Sequence, residues 1–282
     1  MSVHFEEGEF GKKAVLTSPW STDVHAEILQ ARPEELELNA SKGWSGKDLK
    51  FVEHYDWLKS FTIIDMKIDD ISAVMSLHRL VSLDIVTYCK TKLDFTRFRD
   101  LRNCSLEWRR GAESVFDCVM LTDLFLNCYN GKSSAPFSSL VNLRTLAILN
   151  SPLSEMNGLA GLKGLRSLRL AGLKSLSSLD GLEHLHQLEQ FEMQLCKSVH
   201  SLAPLGSLRN LVDVNISNNG KLDSLSPLGA LPKLRSVLFY ESTDIVDGDL
   251  RPIFENPQIN KVSFQNRKHY SHTREEFAAR GV

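Results

Sequence analysis

A short apolar motif recurs along this chain, and its clearest copy is Leu165-Arg166-Ser167-Leu168-Arg169-Leu170. Apolar residues occupy its first, fourth and sixth positions, and leucines follow at every third residue from Leu176 to Leu185. The closing Leu-x-Leu alternates with a period of two, which is typical of a strand with one buried face. The spacing of three favours 3₁₀ turns, in which residues i and i+3 stack on one side. Each copy therefore predicts one strand followed by tight turns.

The same frame fits the chain eleven times, at intervals of 20 to 25 residues. The copies begin at Pro33, Leu58, Leu80, Leu101, Leu121, Leu143, Leu165, Leu188, Leu211, Leu234 and Ile259. The fourth and sixth positions are apolar in every copy. Periods of this length are those of leucine-rich repeats, which stack because a single repeat cannot bury its own apolar edge. We predict an α/β solenoid of ten or eleven repeats in a single structural domain. It would have a parallel concave β-sheet and 3₁₀ turns on the convex side.

Residues 58–85 and 121–264 resemble the short-period leucine-rich repeats of bacterial internalin-type proteins and of eukaryotic phosphatase-regulatory subunits. The resemblance covers most of the chain and implies a binding scaffold rather than one particular activity. Those repeats usually carry Asn or Cys at the ninth position, where the side chain satisfies backbone groups between strands. Here only Cys196 and Asn219 conform. The sequence therefore leaves the turns of the first half open.

The two ends of the chain lack the motif, and an open stack of repeats needs polar covers there. Residues 1–32 contain a short helical pattern with Asp23 as a candidate N-cap. Residues 268–282 place Thr273 and Glu276 at the spacing of a capping box, with Gly281 as a stop. We therefore predict an N-terminal cap at 1–32, the repeat solenoid at 33–267 and a C-terminal cap or tail at 268–282.

Composition narrows the class of protein. Among 282 residues, 33 are Lys or Arg and 35 are Asp or Glu, and this near balance argues against a nucleic-acid partner. No apolar run approaches the roughly 20 residues that cross a bilayer, and the acidic, glycine-broken N-terminus does not have the pattern of a secretory signal. The five cysteines show no Cys-x-x-Cys spacing, which argues against a zinc site or a disulfide framework. We expect a cytoplasmic monomer that binds neither nucleic acid nor membrane.

Patterns that could carry chemistry are weak. The pair His184-Leu185-His186 has no third metal ligand nearby in sequence. The acidic residues within 65–70 fit turns, and the segment 43–47 lacks the spacing of a phosphate loop. Cys104 takes a core position of its repeat, where a thiol packs as a small apolar group. We predict no catalytic residue, no metal and no cofactor, and hence a protein that is not an enzyme.

The third, fifth and seventh positions of each copy are expected to point outward on the concave face. Seven of these residues are acidic and two are basic, so the face carries 2 − 7 = −5, against −2 for the whole chain. The acidic set is Glu35, Glu37, Asp84, Glu107, Asp123, Glu192 and Asp213, and the basic set is Arg169 and Lys261. Such a face favours a partner protein with a basic patch.

Apolar residues cluster on part of this face, and contiguous exposed apolar patches often mark binding surfaces. The predicted partner-binding residues are Asp84, Val86, Glu107, Trp108, Asp123, Phe125 and Leu149. In this interpretation the apolar members anchor a partner and the carboxylates form an acidic rim. The alternative is that isolated exposed hydrophobic residues are ordinary and that Trp108 turns inward.

These observations predict a non-enzymatic protein–protein interaction module that holds its partner on the acidic concave face. One alternative is an immunity or inhibitor protein that neutralises a basic toxin enzyme through the same face. A less favoured alternative is a secreted adhesin of the internalin type, which would need an export signal and an anchor.

Overall fold

The computed structural model describes residues 2–281, and the chain packs into two compact units, Met1–Leu126 and Asn127–Val282. Both units consist of short strands separated by 3₁₀ turns of three to six residues. Several of these turns carry proline as their second residue, as at Pro136 and Pro204, because the first N–H groups of a helix have no partner within the helix. The predicted alternation of strand and 3₁₀ turn is confirmed.

The first unit opens with a hairpin that the repeat pattern did not predict. Strand β1 (Val3–Glu7) pairs antiparallel with β2 (Lys12–Leu16). Strand β2 then pairs in parallel with β3 (Glu35–Asn39), so the hairpin extends the sheet of repeats. Its sequence signal is the alternation of Val3 and Phe5 before a segment bounded by two glycines.

Helix α1 (Thr22–Ala31) connects the hairpin to the first repeat. The predicted helix is confirmed, but the predicted cap is wrong. Ser21 is the N-cap, and its hydroxyl accepts a hydrogen bond from the backbone N–H of Val24 at 3.2 Å. Asp23 lies in the first turn, where a carboxylate favourably faces the positive end of the helix dipole.

The remaining strands of the first unit follow the predicted repeats. They are β4 (Ser60–Ile64), β5 (Ser82–Val86), β6 (Asn103–Glu107) and β7 (Asp123–Asn127). Parallel pairing aligns Leu83 of β5 with Phe61 of β4 on one side and with Cys104 of β6 on the other. The frame therefore holds through the irregular stretch after residue 85.

The second unit continues with parallel strands in chain order. Its main strands are β8 (Thr145–Leu149), β9 (Ser167–Ala171), β10 (Gln190–Gln194), β11 (Asp213–Asn215), β13 (Ser236–Phe239) and β15 (Lys261–Phe264). Two short strands, β12 (Lys221–Leu222) and β14 (Asp244–Ile245), pair separately from them. Helix α2 (Arg251–Phe254) precedes β15. Helix α3 (Arg274–Ala279) starts with the predicted capping box of Thr273 and Glu276. The division into caps and solenoid at 32/33 and 267/268 stays a prediction.

The core of both units consists of the fourth and sixth positions of the repeats. All of these side chains are buried except Val262, which is half-buried. Convex leucines such as Leu176, Leu179 and Leu182 are buried as well. Each repeat thus contributes apolar side chains from its strand and from its turns to a continuous stack within its unit.

The turns after the strands differ between the two units. In the second unit the eighth residue adopts a left-handed backbone, as at Asn150, Leu195 and Asn218. The ninth residue that follows each of these three, Ser151, Cys196 or Asn219, is buried, and Asn219 acts as the resemblance implies. Its Oδ1 accepts from the N–H of Cys196 at 3.0 Å, and its Nδ2 donates to the carbonyl of Met193 at 2.6 Å.

In two repeats of the first unit the buried turn residue is the eighth one, Asp65 in one and Thr87 in the other. The Asp65 carboxylate accepts from the N–H of Lys67 at 2.8 Å, which confirms its predicted role as a turn residue. Arg109, at a ninth position, is only 7% exposed and reaches back to the preceding repeat. Its guanidinium donates to the carbonyl and hydroxyl oxygens of Thr87 at 3.1 and 3.0 Å, and to the carbonyl of Cys89 at 3.4 Å. A buried arginine therefore performs at this turn the task that asparagine performs in the second unit.

Candidate functional site

Six of the seven predicted partner-binding residues lie together in the first unit. Strands β5, β6 and β7 are consecutive neighbours in its sheet. Asp84 and Val86 lie on β5, Glu107 lies on β6 and Trp108 follows it, and Asp123 and Phe125 lie on β7. Leu149 lies at the end of β8 in the second unit. All seven residues are half-buried rather than fully exposed.

The apolar members pack partly against their own unit. Val86 is in register with Ile64 of β4, and both are half-buried. The centroid of the Trp108 indole lies 5.9 Å from that of the buried Phe116 ring. One side of Trp108 is therefore supported from within the unit, and the residue combines features of both sequence interpretations. A supported, half-exposed aromatic ring loses little conformational freedom when it is covered.

Asp84 lies deeper in this face than a rim residue would. It is in register with Thr62 on one side and with Ser105 on the other, in the middle of β5. Its Oδ1 atom is buried and has no hydrogen-bond partner among the described residues. Burial raises the pKa of Asp84 and the charge of Glu37 raises it further, whereas Ser105 lowers it. The neighbouring strands therefore shield one oxygen of Asp84, and its place in the acidic rim stays a prediction.

Asp123 and Glu107 are the other two carboxylates of the group. The Asp123 Oδ2 atom accepts a hydrogen bond from the hydroxyl of Thr122 at 2.7 Å. The backbone oxygen of Glu107 accepts from Nε of Arg109 at 3.3 Å, which ties this strand end to the turn. Both side chains are half-buried at outward positions of the sheet.

Glu35 and Glu37 are buried, contrary to the expectation that both are exposed outward residues. The β1–β2 hairpin explains this difference, because the N–H of Phe10 donates to Glu35 at 2.6 Å. Glu37 forms ion pairs with Lys13 at 2.6 Å and with Lys42 at 2.7 Å. Burial would raise the pKa of Glu37, but hydrogen bonds from Lys13, Lys42 and Asn39 lower it to about 2. These two carboxylates therefore add no free acidic charge to the face.

The outward residues of the second unit are electrically balanced. A concavity of about 340 Å³ there is lined by Arg169, Glu192, Asp213 and Lys261, among others. Nε of Arg169 lies 3.2 Å from the carboxylate of Glu192. The two acidic and two basic side chains cancel, so the acidic bias that the sequence indicated belongs to the first unit.

Two exposed apolar residues beside this face were not among the predicted binding residues. Tyr88 is 72% exposed and Met66 is 44% exposed. Both are ninth residues of their copies, where the resemblance implies an inward side chain, whereas the structure buries the preceding residues, Asp65 and Thr87. The available signal was the polar character of the eighth position, which suits a side chain that bonds turn amides.

The residues considered for chemistry have structural roles or lie apart. Within residues 2–281 no three His, Cys, Asp or Glu side chains are grouped so that they could hold a metal ion. His184 and His186 are exposed, and Nε2 of His184 lies 3.5 Å from the Glu183 carboxylate. Burial raises the pKa of Cys104, and it raises that of Cys118 to about 12. Such thiols pack as apolar groups. In the same part of the chain, no helix has the length and apolar character needed to span a bilayer.

No protein-family model and no curated protein matches the sequence. Solved structures do match. An internalin from Listeria monocytogenes, InlF, is 16% identical and aligns over 90% of this chain and 87% of its own, with a TM-score of 0.60. The fold is that of a leucine-rich repeat protein. The functional domain of InlJ from Listeria monocytogenes is 20% identical and covers 80% of this chain and 51% of its own, with a TM-score of 0.57. A leucine-rich repeat protein of Leptospira interrogans is 14% identical and covers 90% and 77%, with a TM-score of 0.55. At such identities the likeness establishes the fold alone.

Proposed function

We propose that this leucine-rich repeat chain is a non-enzymatic protein-interaction module, which binds a partner protein through the outward face of β5–β7. The observation that carries the proposal is the group Val86, Trp108 and Phe125, three apolar side chains left half-exposed on neighbouring strands. Half-exposed apolar side chains on a supported sheet offer area that a partner can remove from water.

The charge around these residues favours a partner with a basic patch. Glu107 and Asp123 lie at outward positions beside the apolar group, and Asp84 lies beneath it. None of the outward positions of β4–β7 carries Lys or Arg. Charged residues around an apolar centre steer an oppositely charged partner and set orientation more than they add affinity. We further propose that the module acts as a cytoplasmic monomer without metal or cofactor.

Affinity capture from the native cells tests this proposal. The tagged wild-type chain serves as bait beside the variant Asp123→Asn/Phe125→Ala. A matched control, Asp213→Asn/Leu238→Ala, changes the same kinds of side chain at half-buried outward positions of the second unit. Proteins that wild type and control capture but the first variant loses would support the outward face of β5–β7 as the binding site. A captured protein that both variants retain equally places the binding site elsewhere.

The same capture distinguishes an immunity or inhibitor protein from a general scaffold. A single basic enzyme whose activity falls on binding would indicate inhibition through this face. Several unrelated partners without loss of activity would indicate a scaffold.

A further inference from the structure

In the first unit, exposed and half-exposed apolar residues run from the outward sheet face into the turns that follow two neighbouring strands. Ile64 and Val86 are in register on β4 and β5, and Met66 and Tyr88 follow each of them by two residues. Tyr88, at 72%, has the highest exposed fraction of the large apolar residues in the described chain. We name these four residues the docking strip.

The turn beneath the docking strip is tightly held. Thr87 is 2% exposed, and Arg109 donates to both its carbonyl and its hydroxyl oxygen. The N–H of Asp65 donates to the carbonyl of Val86 at 3.1 Å, which ties the two turns together. The backbone on either side of Tyr88 is therefore fixed while its ring faces solvent. Such preorganisation lowers the entropic cost of binding.

Opposite charges lie on the two sides of the docking strip. On the edge side, Lys90, Lys92 and Arg110 are exposed in the turns after β5 and β6. The aliphatic part of Lys92 lies against Gly111, where an added Cβ would come within 3.1 Å of its Cγ. We name these three cations the basic edge. On the sheet side lie Glu107 and Asp123, which we name the acidic face.

We propose that the docking strip takes an extended protein segment that carries basic residues, then apolar residues, then acidic residues. The apolar residues cover Tyr88 and Val86, the basic residues meet the acidic face, and the acidic residues meet the basic edge. A segment with only one sign of charge would place like charges together at one side, which is unfavourable at close range. A polyanion such as a nucleic acid would be repelled by the acidic face. This inference rests on the proposed function and adds the chemistry of the partner segment.

Synthetic peptides test the proposal directly. Three fluorescent peptides share one apolar centre of Leu-Phe-Leu, flanked by lysines and glutamates, by lysines alone, or by glutamates alone. Fluorescence anisotropy measures their binding to the full chain at about 20 mM and about 200 mM salt, because exposed charges are screened over this range. The mixed peptide should bind at least about tenfold more tightly than either single-sign peptide at low salt. Equal affinities for the three peptides would overturn the proposal.

Variants locate the contacts. Tyr88→Ser should weaken the mixed peptide about tenfold, whereas Tyr240→Ser, at an exposed position of the second unit, should leave it unchanged. Lys90→Glu/Lys92→Glu should weaken the mixed peptide and strengthen the lysine peptide. The control Lys174→Glu/Lys197→Glu changes exposed lysines of the second unit and should do neither. Unchanged melting curves confirm that the variants fold.

The partner found by affinity capture separates this inference from the proposed function. If Asp123→Asn/Phe125→Ala loses that partner but Tyr88→Ser does not, the outward face of β5–β7 is supported as a binding site and the docking strip is excluded. If both variants retain the partner, neither the outward face nor the docking strip is its binding site.

Discussion

Arg109 offers the sharpest test of how the turns of the first unit are held. Replacing it by alanine removes hydrogen bonds at 3.0 to 3.4 Å to the carbonyl of Thr87, the hydroxyl of Thr87 and the carbonyl of Cys89. A hydrogen bond from a charged donor contributes about 1.5–3 kcal/mol, but the desolvation of the buried guanidinium offsets part of this. We expect Arg109→Ala to lower the free energy of unfolding by about 3 kcal/mol.

Urea denaturation followed by far-UV circular dichroism measures this change. Arg110→Ala is the matched control, because Arg110 is the next residue and its side chain is exposed. The control should change the free energy of unfolding by less than about 0.5 kcal/mol. A loss of under about 1 kcal/mol for Arg109→Ala, or equal losses for the two variants, would refute the role assigned to the buried guanidinium.

Glu37, whose pKa is lowered to about 2, stabilises the fold at neutral pH, and this contribution should be lost as pH falls from 4.5 towards 2. Glu37→Gln should therefore lower the free energy of unfolding by about 2–3 kcal/mol at pH 7 and by little at pH 2. For Asp84 the effect of ionisation on stability has the opposite sign, because burial raises its pKa above 3.8 and the charged form therefore destabilises the fold as pH rises. Urea titrations at several pH values should show that Asp84→Asn stabilises the chain at pH 7 but not below pH 3.8. Ile148→Ala and Leu170→Ala should each cost about 2–5 kcal/mol in equilibrium unfolding, because both side chains are fully buried, and a curve that coincides with wild type would show that the site is not core. Leu195 has φ of 55°, so Leu195→Asn should raise the free energy of unfolding by about 1 kcal/mol while Leu195→Ala, which keeps the Cβ strain, should not.

The repeat fold was predictable because one short pattern determines both the strands and their alignment. Leu83, Cys104 and Leu106 are buried where the frame placed them, although their repeats have irregular turns. A one-residue slip would turn every side chain of a strand to the opposite face, so the apolar pattern defines the register strongly. The frame therefore predicts the strands correctly, although most ninth residues are neither Asn nor Cys.

The burial of outward residues was less predictable because it depends on elements outside the repeats. Glu35 and Glu37 follow the outward pattern, yet contacts with Phe10 and Lys13 of the hairpin region cover them. A net charge summed over outward positions therefore overstated the free acidic charge of the first unit. Periodicity shows which way a side chain points, but it does not show what lies above it.

The candidate site was predictable in part. Val86 and Phe125 lie at outward positions of β5 and β7, the two strands on either side of β6, as the frame required. Tyr88 was missed because the turns of the first unit place the buried polar residue one position earlier than the resemblance implied. The reach of Arg109 to Thr87 joins two repeats through a long side chain, and no local spacing indicates such a bond.

The central claim is that the outward face of β5–β7 binds a protein, and one titration tests it most directly. The dissociation constant of the partner obtained by affinity capture is measured by isothermal titration calorimetry for wild type, for Asp123→Asn/Phe125→Ala and for the control Asp213→Asn/Leu238→Ala. We expect the first variant to weaken binding by about tenfold or more and the control to match wild type, because loss of an anchor residue typically costs about 2 kcal/mol. A wild-type dissociation constant for the first variant, together with a weakened control, would place the binding surface on the second unit and contradict the claim.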